Sequence, residues 1–165
     1  LLGSSQTRSD AGYRETSQLA RFLLAALCLL PRSSVMQRIY TQPDPFEPFA
    51  LSQAIAAGEW IFVSGQAALD AQGNIVGEDD FRLQAETAFN NLQAILQAAG
   101  SGLQDVVKVT IFMTNMQYFG EVVELRHRYF SQPYPADSIV EVKALALPQL
   151  MFEIEAVAMR GAGKS

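Results

Sequence analysis

Cysteine occurs once in this chain of 165 residues, at Cys28, and histidine once, at His127. A lone thiol cannot close an intrachain disulfide, and neither a CxxC nor an HExxH spacing is present. No metal is therefore expected. Long apolar runs are missing as well. The most apolar stretch, Phe22 to Leu30, falls short of the roughly 20 residues that cross a bilayer, so no membrane span is expected. Arg14 and Arg21 before it and Pro31-Arg32-Ser33-Ser34 after it loosely resemble a secretory leader, but no small-x-small cleavage site follows. Basic stripes are absent too. The chain carries 12 Lys and Arg against 17 Asp and Glu, a formal charge of -5, and Arg8, Arg14, Arg21 and Arg32 sit in the first 35 residues. What remains is more acidic still and repels phosphate backbones, so nucleic acid is not an expected partner. His127 lies between Arg126 and Arg128 with no orienting partner in view, which favours a solvated helical residue over a catalytic base.

What is present is an ordinary globular composition, 49% hydrophobic and 18% charged, enough for one core and short for two. The division expected is an N-terminal extension over 1–35, disordered or foreign to the native protein with Met36 as its start, a domain over 36–160, and a short tail over 161–165. A cytoplasmic location is expected.

Within the domain, Gln37 to Thr41 reads as a short strand, after which Pro43, Pro45 and Pro48 prevent regular structure. Leu51 to Ala57 and Trp60 to Gln66 read as a hairpin turning at Gly58-Glu59, which brings Ser52 and Ser64 toward one pocket. Asp79 or Asp80 offers an N-cap to a helix whose apolar stripe is Phe81, Ala85, Ala88, Phe89, Leu92, Ile95, Leu96 and Ala99, ending at Gly100. Val106 to Met113 is dense in β-branched residues and predicts a central strand. Met116 to Phe130 predicts a second helix, with Phe119, Val122, Val123, Arg126 and Phe130 on one side. Ser138 to Leu145 and Phe152 to Met159 complete the order β-β-β-α-β-α-β-β. Two helices cannot cover both faces of such a sheet, so one face is left apolar and in need of a partner copy.

Several word-like blocks are specific. Ser52-Gln53-Ala54, Val63-Ser64-Gly65-Gln66, Ala98-Ala99-Gly100, Asp105 to Phe112, Tyr134-Pro135-Ala136 with Val140-Glu141-Val142, and Phe152-Glu153-Ile154-Glu155-Ala156 follow one another in order. They resemble the RidA (YjgF, reactive-intermediate deaminase) family over nearly all of 36–160. The resemblance implies an α+β, chorismate-mutase-like fold, a mixed six-stranded sheet with two helices on one face, assembled as a homotrimer with sites between subunits. It also implies hydrolysis of 2-imino or enamine acids to 2-keto acids and ammonia without a cofactor. In that family an arginine after the Tyr-Pro-Ala block clamps the substrate carboxylate and a glutamate on the last strand positions the attacking water.

Only part of that set is retained. Glu153 matches the glutamate, and Ser64 and Gly65 match a contact pair on the third strand. The arginine position holds Asp137, the neighbouring thiol position Ile139, the helical asparagine position Val123, and the early-loop tyrosine position Leu51, with Phe49 as its alternative. Two carboxylates about 4 Å apart repel by roughly 4 kcal/mol at an effective dielectric near 20, on the order of a thousandfold in binding. The expected cleft is thus apolar with two acids, suited to an uncharged or cationic small molecule, unless Arg126 or Lys143 supplies the missing cation. Each residue also has a structural reading: Asp137 as a turn acceptor, Glu153 as a solvated strand residue beside Glu155, Ser64 as strand punctuation. Three functions compete: a deaminase-type hydrolase of changed specificity, a non-catalytic metabolite-binding or regulatory trimer, and an endoribonuclease or translation inhibitor, which the acidic domain disfavours.

Overall fold

The structure is a computed structural model that describes residues 35–163. The expectations for Phe22 to Leu30 and for the rest of the N-terminal extension lie outside the described residues. Strands β1 (Gln37–Ile39), β2 (Ala54–Ala57) and β3 (Trp60–Ala67) form an antiparallel meander. Helix α1 (Phe81–Ala98) leads to β4 (Val106–Met113), and helix α2 (Phe119–Tyr129) leads to β5 (Ala136–Glu141) and β6 (Phe152–Met159). The six strands make one mixed sheet in the order β1-β2-β3-β6-β4-β5, parallel only between β4 and β5.

Local chemistry accounts for the boundaries. The hairpin turns at Gly58, whose φ of 61° suits a residue without Cβ. Asp80 caps α1 by accepting from the Leu83 amide at 2.9 Å, and Gly100 follows the helix at φ 71°. The apolar stripe of α1 is buried as its spacing predicts, and with it the inward residues of β2, β3, β4 and β6. Sequence periodicity passed over one polar member of that layer. Gln84 is fully buried, donates to the Gly77 and Gln149 carbonyls at 3.0 and 2.9 Å, and accepts from the Met151 amide at 2.8 Å.

The second helix and the fifth strand differ from expectation. The second helix begins as a 3₁₀ turn, Met116–Tyr118, because the Asn115 side chain accepts from the Gln117 amide and fixes the entry. Of the side expected, Val122 and Phe130 are buried in the core and Leu125 joins them, while Phe119 is 44% exposed. Strand β5 runs over 136–141 rather than 138–145, since its parallel ladder ends where β4 ends, at Met113 opposite Glu141. Both helices pack on one face. Trp60, Phe62, Val140 and Met159 are exposed on the other.

Candidate functional site

Strand alternation sorts the expected site residues onto two faces. On β6, Phe152, Ile154, Ala156 and Ala158 are buried toward the helices, so Glu153 points to the open face. Its neighbour there is Gly65. A Cβ built on Gly65 would stand 2.0 Å from Glu153 Oε1, so the carboxylate rests against bare backbone. That backbone is accessible because β3 breaks register with β6 between Val63 and Gln66. Ser64 holds the irregularity in place: its amide donates to the Gln53 carbonyl at 3.0 Å and its hydroxyl to the Ser52 carbonyl at 2.7 Å. None of the described residues donates a hydrogen bond to Glu153. Burial pushes its carboxyl above the ordinary glutamate value, and Glu155, two residues along, pushes the same way.

Asp137 faces the other way. It pairs in register with Val109, a core residue, and its side chain therefore turns toward α2. There Asp137 Oδ2 lies 2.6 Å from Arg126 Nε, with the two side chains 17% and 24% exposed. The residue's own exposure is in its main chain, on the edge strand. The contact is an ion pair by distance, while the buried Nε–H is not aligned with any acceptor. Burial raises the Asp137 carboxyl above its usual range, and Arg126 and Lys108 pull it back without cancelling the rise. The pair forms part of the wall of a cavity of about 220 Å³ bounded also by Val123, Phe130, Tyr134 and Pro135. At its rim His127 Nδ1 and the Tyr134 hydroxyl are 3.0 Å apart.

The structure thus brings Val123 and Asp137 together, and Glu153, Gly65 and Ser64 together, but on opposite sides of the sheet. Phe49 and Leu51 are exposed just before β2, and Ile139 packs against the core rather than lining the cavity. The like-charge repulsion expected from a free Asp137 is offset by Arg126, whose approach from α2 the residue order did not reveal. Tyr134 as a cavity wall was also missed, although it stands in the Tyr-Pro-Ala block.

Comparison with known proteins decides the family. Residues 41–160 match the family model described as Endoribonuclease L-PSP. The chain belongs to that family, the RidA family. A RutC family protein of Pyrococcus horikoshii is 37% identical over 124 residues, 74% of this chain and 96% of the relative. The 2-iminobutanoate/2-iminopropanoate deaminase of Dermatophagoides farinae is 35% identical over 103 residues, 62% of this chain and 79% of that protein. Among solved structures, RidA from an Antarctic Psychrobacter superposes with a TM-score of 0.69 at 35% identity, over 74% of this chain and 98% of that one. A RidA-type mixed sheet with its two helices is therefore the fold of this chain.

Proposed function

We propose that this RidA-family chain is a hydrolytic deaminase of a small imine or enamine, working in a cleft completed between subunits of a homotrimer, with recognition changed at Asp137. The observation that carries the reading is the placement of Glu153. A carboxylate set against Gly65, with no hydrogen bond from the described residues and a raised affinity for protons, is suited to act as a base on water. In this reaction Glu153 takes a proton from water as the water oxygen bonds to the imine carbon. The C=N electron pair moves to nitrogen, which takes up a proton. In the collapse of the resulting carbinolamine the hydroxyl proton passes to the amine nitrogen, the oxygen's electron pair forms the carbonyl, and the C–N bond breaks, releasing ammonia.

The geometry of the two half-sites supports that assembly. Within one chain, Glu153 and the Asp137 cavity lie on opposite faces of the sheet, so one small molecule meets both only where a second copy brings its own half. The exposed apolar residues on the open face provide the surface for that contact.

The test is ammonia release from freshly generated imines of neutral, acidic and basic amino acids, measured against the rate without protein. Release above that rate, abolished by Glu153→Gln, is the expected result. Binding of the corresponding keto compounds with no release from any imine would instead favour the non-catalytic metabolite binder, for which the missing strand arginine speaks.

A further inference from the structure

We infer that the cavity between the end of β3 and α1 is a second small-molecule site, built for a primary amine with a compact apolar body. It lies apart from the proposed deaminase cleft, and the inference stands whether or not that cleft hydrolyses an imine.

The cavity measures about 210 Å³ and is walled by the 41–46 loop, the end of β3, the turn Leu69 to Ala71 and, one helical turn apart on α1, Asn91 and Ala94. It shares no lining residue with the cavity beside Asp137, and Glu153 points to the other face of the sheet. Its volume falls below the roughly 300–1,000 Å³ of sites for drug-sized ligands, so its occupant is small.

The chemistry of that occupant follows from where three amide side chains spend their groups. Gln53 is committed at both ends: its nitrogen donates to Asp44 Oδ1 at 2.8 Å and its oxygen accepts from the Thr41 amide at 3.2 Å. Asn91 donates its nitrogen to the Ala67 and Leu69 carbonyls, at 3.0 and 2.9 Å, and Gln66 donates its own to the Ser64 carbonyl at 2.9 Å. A carbonyl can only accept, so these partners settle which end of each amide is oxygen. Neither the Asn91 nor the Gln66 oxygen accepts from a described residue, and both residues line the cavity. Gln66 is only 4% exposed, and an oxygen so placed is stabilised by any donor that reaches it.

Charge points the same way. Of the lining side chains only Asp70 is charged. Its carboxylate accepts from the Gln72 and Asn74 amides and from the Asn74 side chain, all neutral donors, and no described cation pairs with it. Two oxygens without donors and one carboxylate without a cation match an ammonium, which carries three N–H donors and no acceptor. An anion fails on the same count. Pro43, Pro45, Phe46 and Leu69 supply carbon surface for the body of the amine.

The test titrates isobutylamine, isobutanol and isobutyrate, nearly alike in shape and different in charge, into the full chain at neutral pH, following the side-chain amide resonances of Gln66 and Asn91 by NMR. Isobutylamine is expected to bind saturably and shift both resonances, isobutanol to bind on the order of tenfold more weakly, and isobutyrate not to bind. Ala94→Phe, at an exposed position on the rim, should fill the mouth and abolish amine binding while leaving every hydrogen bond named above in place. Asp70→Asn keeps an oxygen for the turn amides and should weaken the amine several-fold with isobutanol unchanged. Gln66→Met removes the acceptor and should weaken the amine by on the order of tenfold. Where that variant fails to fold because the Ser64 carbonyl loses its donor, Ala94→Phe and Asp70→Asn decide the matter. No amine binding at tens of millimolar, binding that shifts neither amide, binding unchanged in Ala94→Phe, or equal binding of amine and isobutyrate overturns the inference.

Discussion

The Glu153 carboxylate lies so close to Gly65 that a single methyl group on that residue would come within 2.0 Å of Oε1. Gly65 has no positive φ to explain it, so its role is the space it leaves. Gly65→Ala is expected to push Glu153 off its position while the far end of that side chain absorbs the clash. Melting should change little, and imine hydrolysis should fall by at least tenfold. An active Gly65→Ala protein would show that the position of Glu153 does not matter.

Titration of Glu153 gives a second expectation. Its pKa is raised by burial and then by Glu155, and the reaction needs the ionised form, so activity should be lost as pH falls through a value above the ordinary 4.5. Stability has the opposite sign. A folded-state pKa raised above the unfolded one means the native protein binds more protons in that window, so wild type should lose stability relative to Glu153→Gln as pH rises from 4.5 through the raised value. Denaturant melts of both proteins across that range check the sign.

Gln84 has no part in the chemistry but carries the fold beneath it. Replacing it by leucine takes away the acceptor of the Met151 amide and the donor to the Gln149 carbonyl, while the Gly77 carbonyl still accepts from the Asp80 amide at 3.0 Å. A loss of about 2–4 kcal/mol is expected, from one or two buried groups left unpaired. Urea unfolding of Gln84→Leu measures it, with ligand binding at the cavity expected to survive wherever the variant is folded.

Phe62 is 50% exposed on the open sheet face. If that face is covered by another copy, Phe62→Glu should convert a trimer to monomers in sedimentation, keep the circular-dichroism spectrum, and abolish hydrolysis because the two half-sites part. A wild type that sediments as a monomer at micromolar concentration would remove the assembly proposal.

The sequence by itself determined the elements and their order, because local periodicity and turn chemistry are written in consecutive residues. The stripe of α1, the cap at Asp80, the turn at Gly58 and the alternation of β6 were all legible there. The ordered blocks along the chain, through the family they resemble, also pointed to Glu153, to the pair Ser64 and Gly65, and to Asp137 as the departure. Only the tertiary structure decided what Asp137 faces. Its parallel register with Val109 turns the carboxylate toward α2 and onto Arg126, while the antiparallel register of β6 sends Glu153 to the other side. The physical reason is that strand pairing and helix docking are non-local. A one-residue shift in either register would carry Asp137 or Glu153 to the opposite face of the sheet.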